Sequence, residues 1–111
     1  MNEAPILLIA SVLIILFALP LVLGKVKMNG IYGIRISESF RSEARWYQIN
    51  RFGGLLFVLW GIVLGICGML GLRLQAGQQA RYMLISLAIV FGGLAMAIIA
   101  IFVYASKTRK D

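Results

Sequence analysis

The sequence predicts an all-α membrane protein with three transmembrane helices and a short amphipathic cytoplasmic interfacial helix between the first and second. Three apolar stretches, about 6–23, 52–72 and 83–104, contain no Asp, Glu, Lys, Arg or His. Each has about 20 residues, the length that a helix needs to cross a bilayer core. Backbone groups in lipid must hydrogen-bond within their own segment, so such spans form helices. We expect a single three-span domain over 1–111, because a chain that is 61% hydrophobic leaves no room for a soluble domain.

Basic residues are distributed unevenly among the segments that join these spans. Of the 11 Lys and Arg, six lie in the loop 24–51 and two lie between the second and third spans. The other three are Lys107, Arg109 and Lys110 in the tail. Short loops rich in Lys and Arg stay in the cytoplasm, so we expect a cytoplasmic loop and C-terminus and an external N-terminus. The net charge of +7 then meets anionic lipid headgroups, and nucleic acid is not an expected partner.

Small residues in the second and third spans indicate how the helices pack. Gly54, Gly61, Gly65 and Gly68 share one face of the second span, and the third span contains Gly92 and Gly93. Glycine lets membrane helices approach closely. We therefore expect the second and third spans to pack together, with the first laid against them. Whether the glycine face serves the bundle, a dimer or a ligand stays open.

The loop 24–51 holds most of the polar residues. Asn29 and Gly30 are strong turn formers, and 34–36 alternates like an extended segment. Residues 37–51 have the pattern of an amphipathic helix, with Ser37 or Ser39 as its N-cap and with Gly53 and Gly54 turning the chain into the second span. We expect Trp46 to anchor this helix at the bilayer surface.

Polar, aromatic and glycine residues form a spaced pattern within 29–54, at Asn29, Tyr32, Gly33, Arg35, Ser37, Trp46, Asn50 and Gly53. This pattern resembles the signature of the SdpI family of small bacterial membrane proteins. Met28 and Ile36 depart from the usual pattern, in which proline precedes the asparagine and a hydroxyl residue directly follows the arginine. The resemblance implies three spans in the bacterial cytoplasmic membrane and a role in immunity against a secreted, membrane-active peptide toxin. It also implies a link to a soluble regulator held at the membrane in some members.

Arg35 has two alternative roles at this stage. Its guanidinium could bind a phosphate or carboxylate bidentately, or it could clamp the loop to the helix through Glu43 or Asn50. Enzymatic chemistry is not expected, because the chain has no His, one Cys and four acidic residues. These residues supply no catalytic pair, no metal site and no cofactor site.

The sequence therefore favours an integral membrane immunity or signalling protein that binds or blocks a peptide toxin. The alternative is a small accessory subunit that packs its glycine-rich second span against a larger membrane complex. A homo-oligomer and a soluble regulator are further candidate partners.

Overall fold

The computed structural model describes residues 4–74 and 76–109. The elements are helix α1 (Ala4–Val22), a 3₁₀ turn (Ser37–Phe40), helix α2 (Glu43–Gly71), a second 3₁₀ turn (Ala76–Gln78) and helix α3 (Gln79–Lys107). The three α-helices are each long and apolar enough to cross a membrane, which confirms the predicted all-α fold with three spans. Lys110, part of the predicted basic tail, lies outside the described residues.

The predicted amphipathic interfacial helix does not form a separate element. Residues 43–51 are instead the first turns of α2, which continues without a break through Gly53 and Gly54. Both glycines are buried, and a Cβ added at Gly54 would lie 3.0 Å from the Cβ of Leu21 in α1. Close packing at these positions offsets the helix penalty of about 0.5–1 kcal/mol that each glycine carries. The two glycines therefore allow close packing against neighbouring residues and do not turn the chain.

The cap of α2 is Ser42, whereas the sequence pattern pointed to Ser37 or Ser39. The Ser42 hydroxyl accepts a hydrogen bond from the backbone N–H of Arg45 at 3.1 Å, and the Ser42 backbone is extended. This arrangement satisfies one of the free N–H groups in the first turn of α2. The helix consequently begins later than expected.

Helix α1 packs along α2 through small residues that recur every seven positions on both helices. A Cβ added at Gly54, Gly61 and Gly68 would lie, in that order, 3.1, 3.3 and 3.1 Å from the carbonyl oxygens of Ala18, Ser11 and Ala4. A seven-residue spacing keeps facing positions aligned along two slightly crossed helices. Small residues on both sides let the backbones approach closely, which is what drives helix association in lipid.

The glycine face of the second span thus contacts the first span. Gly65 lies on the same face, where an added Cβ would be 3.2 Å from the Ser11 hydroxyl oxygen. We expected the second and third spans to pack together with the first laid against them. Helices α2 and α3 are in contact, but α1 contacts α2 more extensively than α3 does, because α1 carries small residues at the matching spacing.

Helix α3 contacts the other side of α2 mainly through aromatic residues. The Trp60 ring packs against Gly93, and the Tyr82 hydroxyl donates a hydrogen bond to the carbonyl oxygen of Cys67 at 3.0 Å. Gly92 is exposed and has open space at the position of an added Cβ. It therefore takes no part in packing within the described chain, in contrast to the expectation.

Candidate functional site: the loop between the first two spans

The loop starts where a glycine ends α1. The N–H of Gly24 donates to the carbonyl oxygen of Leu21 at 3.3 Å, and the N–H of Lys25 donates to that of Pro20 at 2.9 Å. Gly24 has a φ of 69°, the left-handed conformation that closes this Schellman motif. The sequence signal is a glycine directly after an apolar run. The motif reverses the chain at the end of α1 and directs the loop back toward α2.

Asn29 organises the first turn of the loop. Its Oδ1 accepts hydrogen bonds from the N–H groups of Ile31 at 2.9 Å and Tyr32 at 2.6 Å. Its Nδ2 donates to the carbonyl oxygen of Lys27 at 2.7 Å. These contacts make an Asx turn, so both ends of the amide are engaged within the loop.

Tyr32 ties the loop back to α1. Its hydroxyl donates a hydrogen bond to the carbonyl oxygen of Phe17, which lies in α1 about one turn before Pro20. Burial raises the pKa of the Tyr32 phenol above its ordinary value of 10.0. The phenol therefore stays protonated at physiological pH and remains able to donate this bond.

Arg35 is exposed and donates a hydrogen bond to the carbonyl oxygen of Gly30. This contact lies within the loop. In the described residues, the contacts of Arg35 do not include the expected clamp to Glu43 or Asn50. The exposed part of the guanidinium leaves anion binding as the open alternative for this residue.

Asn50 joins the extended part of the loop to α2. Its Oδ1 accepts from the N–H of Ile34 at 2.6 Å, and its Nδ2 donates to the carbonyl oxygens of Ile34 at 3.3 Å and Trp46 at 2.9 Å. The amide thus pairs with Ile34 as a neighbouring strand would. Gly33 makes this approach possible, because it has a φ of 116° and an added Cβ would lie 2.8 Å from Asn50 Oδ1.

Trp46 is fully buried between α2 and the loop. Its indole N–H donates to the carbonyl oxygen of Val26 at 2.8 Å, and its ring lies 5.6 Å from that of Phe40. The expected role as a bilayer-surface anchor is therefore wrong. One turn of α2 further along from Asn50, Gly53 leaves space for the side chain of Ile34.

The buried hydroxyl of the loop belongs to Ser39. Its Oγ accepts from the N–H of Ile36 at 3.0 Å and donates to the carbonyl oxygen of Ile36 at 2.8 Å. Ser37, the nearest hydroxyl to the family position, is exposed at the start of the 3₁₀ turn. The serine that closes on the loop backbone is therefore Ser39, three residues after Ile36.

A charged cluster around Glu38 connects the loop with the ends of α2 and α3. The Glu38 carboxylate contacts guanidinium groups of Arg45 at 3.1 Å, Arg41 at 3.2 Å and Arg109 at 3.5 Å. Arg45 also donates to Thr108 Oγ1 at 2.8 Å and to the carbonyl oxygen of Ala105 at 2.9 Å. These last two contacts hold the C-terminal end of α3.

Sequence reasoning did not single out the Glu38 cluster. Glu38 and Arg45 lie on different elements, so their pairing depends on the 3₁₀ turn, and no short spacing rule connects either to Thr108. The Arg45 Nε is buried without a hydrogen-bond partner in the described structure, which shows how tightly this side chain is enclosed.

The junction between the loop and α2 brings together four of the eight predicted site residues, which are Gly33, Trp46, Asn50 and Gly53. Asn29 instead shapes the turn within the loop, and Tyr32 ties the loop to α1. Arg35 and Ser37 lie at the exposed edge of the loop. Within 4–74 and 76–109, no group of three His, Cys, Asp or Glu side chains is placed to hold a metal ion.

Three apolar helices and a polar loop folded onto the start of α2 define a small multi-pass membrane protein. The chain belongs to the SdpI/YfhL protein family, whose family model matches residues 25–105. This range covers the loop, α2 and most of α3. The family is a membrane immunity family that is not known for enzymatic activity. No curated protein and no solved structure matches it significantly.

Proposed function

We propose that this chain is an immunity protein of the bacterial cytoplasmic membrane that binds or blocks a membrane-active peptide toxin. The observation that carries the proposal is the family match over residues 25–105, which includes the whole loop motif. The proposed role is not enzymatic. In support of it, the side chains of Asn29, Tyr32, Trp46 and Asn50 hydrogen-bond to backbone groups of the chain itself. We assign these residues the role of shaping the loop and holding it to α1 and α2, so the motif supports the fold on which protection depends.

The test is survival of the host with the gene deleted or restored. Cells are exposed to peptide fractions secreted by the host and its close relatives. We expect deletion to sensitise the cells to one such fraction and expression of the chain to restore growth. Trp46→Ala should remove protection because it empties the loop–helix junction. Equal survival of deleted and restored cells across all fractions would contradict the proposal.

The orientation proposed for the chain has the N-terminus outside and the loop and C-terminus in the cytoplasm, where basic side chains meet anionic headgroups. The six basic residues of 24–51 support this orientation. In a Cys67→Ser background, Gly77→Cys should react with a membrane-impermeant maleimide in intact cells. Ser37→Cys should react only after lysis, and the reverse pattern would contradict the orientation.

The accessory-subunit alternative has less support. It requires the glycine face of the second span to be available to a larger complex, yet Gly54, Gly61 and Gly68 contact α1. A mild-detergent pull-down of the tagged chain from its host distinguishes the candidate partners by which proteins are recovered with it. Recovery alone, as a homo-oligomer or with a small secreted peptide agrees with immunity. Recovery with larger membrane subunits would favour the accessory role, and recovery with a soluble protein would favour a regulator tether.

A further inference from the structure

A surface cleft lies between the start of α2 and the end of α3. It has a volume of about 460 Å³, and its lining includes Gln48, Arg51, Phe52, Leu55 and Tyr104. Arg51 is the last charged residue before the charge-free stretch of α2, and Tyr104 ends the charge-free stretch of α3. The cleft therefore lies at the level where lipid headgroups meet acyl chains.

The polar edge of the cleft has two side chains with hydrogen-bond donors to spare. Arg51 is exposed, and its guanidinium has no hydrogen-bond or ion-pair partner within the described residues. Gln48 is also exposed, and its Oε1 accepts a hydrogen bond from Arg45 Nη1 at 2.8 Å. Arginine donates and does not accept, so the Gln48 Nε2 points away from Arg45. Three residues apart on α2, Gln48 and Arg51 share one face of the helix.

The other edge of the cleft is apolar. The rings of Phe52 and Tyr104 stack with their centroids 3.9 Å apart, and this contact joins α2 to α3. Leu55, which is 48% exposed, extends the apolar surface along α2 away from the loop. The cleft thus presents donors at one end and apolar surface at the other, in the order in which a phospholipid presents its phosphate and its acyl chains.

The charges around the cleft favour an anion. Beside it, the Glu38 carboxylate is shared by the guanidinium groups of Arg41, Arg45 and Arg109. This cluster therefore carries more positive than negative charge. Among the described residues, the lining of the cleft contains Arg51 and no Asp or Glu. A guanidinium with free N–H groups is well suited to the oxygens of a phosphate.

We propose that this cleft binds one anionic phospholipid, with its phosphate on Arg51 and Gln48 Nε2 and an acyl chain on Phe52 and Leu55. A free phosphate would leave the apolar surface uncovered, and an acyl chain alone would leave the donors unpaired. The site differs from the general attraction between basic loops and headgroups, because it holds one lipid at defined residues. Such a lipid contacts both α2 and α3 and stabilises their contact.

The test is native mass spectrometry of the full chain in a neutral detergent, which counts the lipids bound to each molecule. Phosphatidylglycerol and phosphatidylcholine with the same acyl chains are titrated separately. We expect phosphatidylglycerol to bind about fivefold more tightly, because its headgroup lacks the cationic choline that the basic surroundings repel. Arg51→Gln should weaken phosphatidylglycerol binding by about fivefold. Gln48→Met, which removes the amide donor, should weaken it about two- to threefold.

The matched control is Lys27→Gln, which removes one positive charge from an exposed loop side chain outside the cleft lining. It should change phosphatidylglycerol binding by less than about twofold. Equal losses in Arg51→Gln and Lys27→Gln would overturn the proposal, because net charge would then explain the binding. Unchanged binding in both Arg51→Gln and Gln48→Met, or equal binding of the two lipids by the natural chain, would also overturn it.

Glycerophosphoglycerol, the same headgroup without acyl chains, separates a lipid from a free phosphate ester. It should not displace phosphatidylglycerol at equal concentration, and displacement would overturn the lipid in favour of a soluble anion. Thermal unfolding provides a second measurement, because a ligand that binds the folded chain stabilises it. Phosphatidylglycerol should raise the melting temperature of the natural chain and of Lys27→Gln, but not that of Arg51→Gln. The same rise in all three would contradict the site.

Discussion

Asn50 pairs its side-chain amide with both backbone polar groups of Ile34 while it is almost completely buried. A side chain in this position must offer a donor and an acceptor at once, which Asn does and Asp does not. The loop is therefore held to α2 by an interaction that depends on one amide group.

We expect Asn50→Asp to lower the free energy of unfolding by about 1–3 kcal/mol, because it buries a carboxylate and leaves the carbonyl oxygen of Ile34 without its side-chain donor. The matched control is Gln48→Glu, the same amide-to-acid change at an exposed position of α2. Thermal unfolding in detergent, followed by a fluorogenic reagent for the thiol of Cys67, measures both variants. Equal melting temperatures would contradict the role given to the Asn50 amide.

Gly33 is the second residue on which the loop depends. Gly33→Ala should cost about 1–3 kcal/mol, because alanine is strained at a φ of 116° and its Cβ meets Asn50. Gly30→Ala is the control, since an added Cβ there has no atom within 4 Å. The same thermal assay should show a loss for Gly33→Ala and little change for Gly30→Ala. A comparable loss in both would mean that loop glycines matter only for flexibility.

At the scale of elements, the pairing of α1 with α2 depends on small residues that face each other. Gly61→Leu should destabilise the bundle by about 1–3 kcal/mol or more, because a side chain there meets Ile15 and the Ser11 carbonyl oxygen. Gly92→Leu places the same residue at an open position of α3 and should change the stability by less than about 0.5 kcal/mol. Similar losses in both variants would mean that the α1–α2 contact is not specific.

The start of α2 was the element least predictable from the sequence. The apolar pattern located all three spans, because a chain this short cannot bury three charge-free stretches of bilayer length away from lipid. It did not show that residues 43–51 continue α2, since Gly53 and Gly54 carry the local signal of a turn and their packing depends on Ile34 and α1. The sequence also did not show that the glycine face of α2 packs on α1. The small residues of α1 that it contacts, Ala4, Ser11 and Ala18, are separated by Leu- and Ile-rich segments.

The residues of the loop motif could be identified from the sequence, but most of their contacts could not. Asn29 could be expected to form a turn, since its side chain acts on neighbouring backbone groups. The pairing of Asn50 with Ile34 and of Trp46 with Val26 joins positions far apart in the chain, so no local rule predicts it. The same holds for Arg45, which contacts Thr108, 63 residues further along the chain.

At the scale of the whole molecule, Arg45 links the loop, α2 and the end of α3. Arg45→Lys should lower the free energy of unfolding by about 1–3 kcal/mol, because one ammonium cannot replace the contacts to Glu38, Thr108 and Ala105. It should also speed hydrogen exchange at the end of α3. Arg41→Lys, at a side chain that is 43% exposed, should cost less than about 1 kcal/mol. Unchanged exchange in Arg45→Lys would show that α3 is held by its apolar contacts alone.

The most direct test of the immunity function is the membrane potential of living cells during toxin exposure, followed with a potential-sensitive dye. The gene-deleted host is complemented with the natural chain, Gly33→Ala or Gly30→Ala at matched membrane levels, and the active secreted peptide fraction is then added. We expect cells with the natural chain or Gly30→Ala to keep their potential. Cells without the gene or with Gly33→Ala should depolarise. Equal depolarisation with and without the natural chain would contradict the immunity function.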